Sequence, residues 1–136
     1  MLERAGSGAF DHALHDGTPL RMQWHFRETS RLPVAVQTWE FPPGGVEGTH
    51  THHSYAPLDE LYLLLDGHAE MTVDEQRHTL RRGDAVLAPA GSAHDFRNTG
   101  DGNATVLVIW GPPGQPIDWS AFASGRTAAA ADTSQH

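Results

Sequence analysis

The chain has 136 residues, and 9 basic against 17 acidic side chains give it a formal net charge of −8 at pH 7. This length predicts one domain with its own core, and the negative charge argues against binding to nucleic acid, which requires clustered positive charge. Cysteine is absent, which excludes disulfides and thiolate metal ligands.

The longest apolar runs cover residues 61–65 and 106–110, far fewer than the roughly 20 residues that span a bilayer. Residues 1–8 contain no apolar core typical of a signal peptide. We therefore expect a cytoplasmic protein without a membrane partner.

Short segments typical of β-strands, separated by Gly, Pro, Asn and Asp, fill most of the chain. In the first segment, apolar Leu20, Met22, Trp24 and Phe26 alternate with polar residues, which predicts a strand with one buried face. The later segments are residues 34–41, 58–66, 68–74, 76–81, 84–88, 94–98 and 104–110. This pattern predicts an all-β sandwich or barrel over residues 1–123, and the small polar residues of 124–136 predict a disordered tail.

Ten histidines are present, and histidine is the commonest metal ligand in proteins. His50 and His52 are two apart, so on a strand both imidazoles would point to the same face. Glu60 begins a later strand segment, and His94 follows a turn. Imidazoles and one carboxylate are ligands of non-haem Fe(II) and of Mn, Ni and Zn sites, so these four residues are candidate metal ligands.

The spacing of these residues resembles the two motifs of the cupins. The first motif, Gly, five residues, His-x-His, a spacer, Glu, six residues and Gly, is matched by Gly44, His50, His52, Glu60 and Gly67. The second, Gly, five residues, Pro-x-Gly, two residues, His, three residues and Asn, is matched by Gly83, Pro89, Gly91, His94 and Asn98. The resemblance, carried by residues 44–98, implies a jelly-roll β-barrel. It also implies one divalent transition metal per chain, held by His50, His52, Glu60 and His94, with iron first and Mn, Ni or Zn as alternatives.

The spacer between His52 and Glu60 departs from the cupin pattern, because residues 53–59 are longer than the usual three or four residues. This length leaves His53 as an alternative ligand to Glu60. It also makes Tyr55 a candidate lid residue and a candidate for proton transfer.

Strand alternation predicts which side chains surround the site. Tyr62 lies two residues after Glu60 and Phe96 two after His94, so each should point inward with its partner. The predicted substrate pocket comprises Gln37, Trp39, Tyr62 and Phe96. Tyr62 is also a candidate catalytic residue, and core packing is the alternative role of Tyr62 and Phe96.

The fold does not determine the reaction, and three hypotheses remain open. The first is a non-haem Fe(II)-type oxygenase acting on a small organic substrate, placed first because no second inward acid is evident beside Glu60. The second is a redox-neutral isomerase, lyase or polyketide-type cyclase, and the third is a non-catalytic module that binds metal or a small ligand. The apolar face of residues 20–26 and open sheet edges predict a homodimer.

Overall fold

The computed structural model describes residues 1–51 and 57–117, and all regular structure within these ranges is β. The strands are β1 (Phe10–Ala13), β2 (Pro19–Trp24), β3 (Ala35–Phe41), β4 (His50–Thr51), β5 (Asp59–Asp66), β6 (Ala69–Val73), β7 (Gln76–Leu80), β8 (Ala85–Ala88), β9 (Ala93–Asn98) and β10 (Ala104–Gly111). The predicted tail, residues 124–136, lies outside the described residues. Among the described residues, no helix is long and apolar enough to cross a bilayer.

The strands form two sheets with antiparallel pairing. One sheet has six strands in the order β1-β2-β3-β10-β5-β8, and the other has four in the order β4-β9-β6-β7. From β3 to β10 the chain passes repeatedly between the two sheets, with β6 and β7 as one hairpin, so residues distant in the chain meet between the sheets. The predicted all-β jelly-roll fold is confirmed.

The core lies between the two sheets, where inward side chains alternate with outward ones as predicted. On β5, Tyr62 and Leu64 are fully buried, and β9 contributes Phe96 to the same cluster. The rings of Phe41 and Phe96 lie 4.9 Å apart, and those of Tyr62 and Phe96 lie 5.7 Å apart. This aromatic packing fixes β5 against β9, the two strands that carry Glu60 and His94.

One prediction is wrong for the end of β2. The alternation suggested a strand through Phe26, but β2 ends at Trp24 and Phe26 has a positive φ of 50°. The carboxylate of Glu3 accepts a hydrogen bond from the Phe26 backbone N–H, and the Phe26 carbonyl accepts one from Ser30. These bonds replace the strand ladder with a turn.

The last residue of the second cupin motif stabilises the fold. Asn98 is buried, and its amide nitrogen lies within hydrogen-bond distance of the backbone carbonyls of Phe41, Pro42 and Gly102. Its amide oxygen accepts a hydrogen bond from the Gly100 N–H. This side chain therefore joins the ends of β9 and β3.

The apolar face of β2 belongs to the core of this chain, because Leu20 and Met22 are 0% and 1% exposed. It therefore cannot form the apolar seam that was part of the reasoning for a homodimer. Sheet edges at β1, β8, β4 and β7 remain, and the homodimer stays a prediction based on them. The domain limits at residue 123 also remain a prediction.

Candidate metal centre

Four acidic and imidazole side chains converge at one end of the space between the sheets. Glu47, His50, Glu60 and His94 each offer a ligand atom, and these atoms all lie within 4.8 Å of one another. His50 and His94 face each other across the β4–β9 pair, with ring centroids 4.2 Å apart. Glu60 is contributed by β5 of the other sheet, so both sheets build the site.

Hydrogen bonds orient the two imidazoles. The Nδ1 atom of His50 lies 2.9 Å from the Gly48 carbonyl oxygen, and that of His94 lies 3.4 Å from the Ser92 carbonyl oxygen. A backbone carbonyl at Nδ1 is a common partner of metal-binding histidines, because it leaves Nε2 available as the ligand atom. Accordingly, His94 Nε2 lies 2.6 Å from a Glu60 carboxylate oxygen, and His50 Nε2 lies 3.7 Å from Glu47.

Tyr62 links the two carboxylates. Its hydroxyl oxygen lies 2.7 Å from Glu47 Oε1 and 2.9 Å from Glu60 Oε2. Because the hydroxyl has one proton, it can donate to only one carboxylate at a time. Burial, followed by the negative charges of Glu47 and Glu60, raises the pKa of Tyr62 well above its ordinary value, so the hydroxyl stays protonated near neutral pH.

The charge balance of the cluster favours a cation. Burial, together with the negative charges of Glu60 and Asp95, raises the pKa of Glu47 well above 4.5 against the opposing hydrogen bond from Tyr62. Burial, with smaller contributions from His94 and His15, lowers the pKa of His50 from 6.5 to about 4. An uncharged imidazole can bind a metal, and a divalent cation would offset two buried carboxylates. The donor set therefore fits a divalent metal.

The structure brings together three of the four predicted ligands, His50, Glu60 and His94. The fourth, His52, lies outside the described residues, as do His53 and Tyr55. Their predicted roles, as ligand, alternative ligand and lid or proton-transfer residue, stay predictions. The long spacer, residues 53–59, had raised the question whether Glu60 reaches the site. In the structure, Glu60 lies in the cluster.

Glu47 is the site residue that the sequence analysis missed. It is 1% exposed, although an acid beside Gly48 in a glycine-rich stretch is typical of a solvated turn. The segment that carries it is not a regular strand: Val46 makes an isolated bridge to Arg97, and Glu47 N–H donates to the Phe96 carbonyl. Strand alternation therefore gives no signal there, and only its position inside the first motif, three residues before His50, could have drawn attention to it.

A cavity of about 210 Å³ adjoins the cluster. Its lining includes Glu47, His50 and Glu60, the predicted pocket residues Gln37 and Trp39, and a largely apolar remainder: Leu14, His15, Met22, Trp24, Leu58 and Trp110. Tyr62 and Phe96 were also predicted to line a pocket. Both are 0% exposed and pack in the core between the sheets. Their pocket roles stay predictions; both side chains pack in the core, and the Tyr62 hydroxyl also forms hydrogen bonds at the site.

Known proteins show similarity to this chain. An uncharacterised protein of Streptomyces coelicolor is 38% identical over 55 residues, which cover 40% of this chain and 51% of that protein. A 5-nitrosalicylic acid 1,2-dioxygenase of Bradyrhizobium is 33% identical over 67 residues, 49% of this chain and 30% of that protein. The chain thus aligns with about half or less of the length of these relatives.

Structural similarity extends further along the chain. The crystal structure of a predicted oxalate decarboxylase from Thermotoga maritima has a TM-score of 0.74 at 19% identity, covering 83% of this chain and 100% of that one. At this identity the match supports the fold alone. The family model described as Cupin domain matches residues 37–110, more than half of the sequence, and the chain therefore belongs to the cupin family.

Proposed function

We propose that this chain is a metal-dependent enzyme that acts on a small organic substrate, with one divalent transition metal held by His50, Glu60 and His94. The observation that carries the proposal is the convergence of buried ligand atoms within 4.8 Å. Glu47 lies beside these ligands as a fourth donor, and His52 is proposed to complete the set as the motif implies.

The leading candidate reaction is that of a non-haem Fe(II)-type oxygenase. Two imidazoles and one carboxylate are the ligand set of such iron centres, and a relative that shares 33% identity is named as a dioxygenase. A bound metal of this kind supplies Lewis-acid and, for iron, one-electron redox chemistry. The residues of this chain hold the ligands in place, position the substrate and limit the access of water.

The cavity suggests what kind of substrate would fit. Trp24, Trp39 and Trp110 are among its lining residues, and flat aromatic surfaces favour a flat, largely apolar molecule. The Trp39 indole N–H donates to Gln37 Oε1 over 2.8 Å, which fixes the oxygen end of that amide and leaves the NH₂ end as a donor. About 210 Å³ of space suits a compact molecule, smaller than a drug-sized ligand. We propose a small aromatic substrate with an oxygen acceptor.

Glu47 gives specific support to a second candidate, a redox-neutral isomerase, lyase or cyclase. Oxygen chemistry was placed first partly because no second acid was evident beside Glu60, and Glu47 is such an acid. Glu47 lines the cavity, and the raised pKa of its carboxyl group suits a group that holds and transfers a proton. The two candidates therefore differ in whether Glu47 serves the reaction or only the metal.

The proposal is tested by measuring metal content after purification without added metal, followed by oxygen uptake of the Fe(II)-loaded chain with hydroxybenzoic acids. We expect about one metal ion per chain and oxygen uptake that depends on substrate. Zinc occupancy with substrate turnover but no oxygen uptake would favour the redox-neutral candidate. Failure to retain or bind any divalent metal would contradict the whole proposal.

A further inference from the structure

The loop between β1 and β2 lies against the segment that carries two residues of the metal centre. The His15 ring stacks on the His50 ring, with centroids 3.6 Å apart and an interplanar angle of 11°. His15 also lines the cavity that contains Glu47 and Glu60. No cupin motif residue lies in this loop, so it is not part of the metal-binding pattern.

The loop contains two adjacent residues in an uncommon backbone conformation. His15 and Asp16 have φ values of 45° and 65°, in the left-handed region that residues with a Cβ rarely occupy. Such conformations persist when surrounding contacts enforce them, and they cluster at functional sites. Here a hydrogen bond from the Gly17 N–H to the Leu14 carbonyl closes a tight turn with His15 and Asp16 at its two central positions, where positive φ is usual, and the segment that leads to His50 packs against this turn.

Two glycines permit these contacts. A Cβ at Gly17 would overlap the backbone carbonyls of Val46 and Glu47, and a Cβ at Gly48 would overlap the His15 carbonyl. The loop and the segment are also joined by hydrogen bonds from the Thr18 N–H to the Val46 carbonyl and from the Val46 N–H to the Thr18 hydroxyl. The loop therefore holds the irregular stretch from which Glu47 and His50 extend.

We infer that His15 is a positioning residue of the metal centre, whose ring holds the His50 imidazole in the orientation required for metal binding. The Gly48 carbonyl contacts one edge of the His50 ring through Nδ1, while the His15 ring covers a face. Together they restrict rotation of the ring, which reduces the loss of conformational freedom on binding. This inference rests on the proposed metal site.

Stability and metal affinity should respond differently to substitutions at His15. The side chain is exposed, so its loss should leave the core intact. His15→Gly removes both the ring and the unfavourable left-handed residue, and we expect an unchanged or higher Tm without metal but a threefold to tenfold weaker affinity for Co²⁺, on the scale of an aromatic contact. If His15 served only to stabilise the fold, the His15→Gly variant would have a lower Tm without metal than the unmodified chain.

Two matched variants isolate the ring. Asp16→Gly relieves the neighbouring left-handed residue and adds the same flexibility, so we expect Co²⁺ affinity within about twofold of the unmodified chain, less than an aromatic contact contributes. His15→Phe retains a flat ring and should restore most of the affinity lost in His15→Gly.

Competition titration with Co²⁺, with Tm measured on the metal-free variants, tests the inference. Unchanged affinity in His15→Gly, or equal losses in His15→Gly and Asp16→Gly, would overturn it while leaving the metal site in place. His15→Phe binding as weakly as His15→Gly would overturn stacking as the mechanism. Absence of Co²⁺ binding by the unmodified chain would instead overturn the proposed function, and this inference with it.

Discussion

Two regions of the molecule are held in place in different ways: the interior between the sheets, and the wall of the cavity formed by residues 46–51, which carries the candidate metal ligands Glu47 and His50. In the interior, regular strand pairs such as β10 with β3 and β5 align alternating apolar side chains, and burial of those side chains stabilises the fold. In the wall, Glu47 and His50 lie on a stretch with one isolated bridge and a two-residue strand. Hydrogen bonds and close backbone contacts hold that stretch in place. As a result, the carboxylate of Glu47 is buried beside that of Glu60.

Under the proposed function, the interior stabilises the fold and the wall supplies candidate metal ligands. The interior should tolerate little change in volume and, apart from the Tyr62 hydroxyl, contribute little to metal binding. The wall includes buried charge that destabilises the metal-free fold and is expected to be offset by the cation. Substitutions in the two regions should therefore change different measured quantities.

The largest effect on stability is expected in the interior, for Leu64→Ala. Leu64 is fully buried on β5, and removal of such a side chain typically costs about 2–5 kcal/mol of unfolding free energy. Urea denaturation measures the cost, and Leu65→Ala, the next residue on the same strand and 41% exposed, is the matched control. Co²⁺ affinity of the folded fraction should remain unchanged. Equal stability losses in the two variants would contradict this description of the core.

The largest effect on metal binding is expected for His94→Ala. The variant removes the imidazole whose Nε2 lies 2.6 Å from Glu60, and loss of a direct ligand should weaken Co²⁺ binding by roughly 100-fold or more, beyond the effect of outer partners. His12→Ala, at an exposed position on β1, is the control and should bind as the unmodified chain does. Affinity retained by His94→Ala would remove this residue from the ligand set.

Glu47→Gln should stabilise the metal-free fold in a pH-dependent manner. Because the pKa of Glu47 is raised above 4.5 in the folded state, the folded chain binds more protons than the unfolded chain, and its stability falls as pH increases from about 4.5 through the raised pKa. The variant lacks this loss, so its advantage in urea midpoint should be absent below about pH 4.5 and should grow as pH increases.

The titration of His50 changes stability with pH in the opposite direction, and His50 is present in both the unmodified chain and the Glu47→Gln variant. Its pKa is lowered from 6.5 to about 4, so it stabilises the fold above that range and the contribution is lost as pH falls from 6.5 to 4. Provided this contribution is similar in both proteins, it cancels in the difference between Glu47→Gln and the unmodified chain. Glu28→Gln, at an exposed position, should show no growing advantage. A difference that shrinks with increasing pH would contradict the burial of an unfavourable carboxylate at position 47.

The smallest effect is expected for Tyr62→Phe, which retains the ring and removes the hydroxyl that lies between Glu47 and Glu60. Metal affinity should fall by about tenfold, the lower end for loss of a partner that orients a ligand. Co²⁺ titration measures this change. A loss as large as that of His94→Ala would indicate that Tyr62 touches the metal or the substrate directly.

The regular part of the fold could be predicted from the sequence, because strand alternation and glycine-containing turns are local signals. Gly67 and Gly83 have the positive φ expected of their turns, 91° and 94°. Alternation on β5 and β9 predicted that Tyr62 points inward with Glu60 and Phe96 with His94, and all four are buried. The alternation misplaced Phe26 because its backbone N–H donates a hydrogen bond to the carboxylate of Glu3, a residue far away in the chain.

The wall of the site could be predicted only in part. The motif spacing identified His50, Glu60 and His94, but Glu47 and His15 enter the site through irregular backbone, where residue spacing does not reveal orientation. Gly17 lies against the backbone of Val46 and Glu47, and Gly48 lies against the His15 carbonyl. No local pattern encodes these contacts between two loops, on which the burial of Glu47 and the stacking of His15 depend.

The most direct test of the account is anomalous diffraction from a crystal of the chain loaded with Co²⁺, collected at the cobalt edge. We expect one strong peak per chain, about 2.0–2.3 Å from the Nε2 atoms of His50 and His94 and from a carboxylate oxygen of Glu60. A peak bound only by surface histidines, or no peak between these three residues at full cobalt loading, would contradict the account.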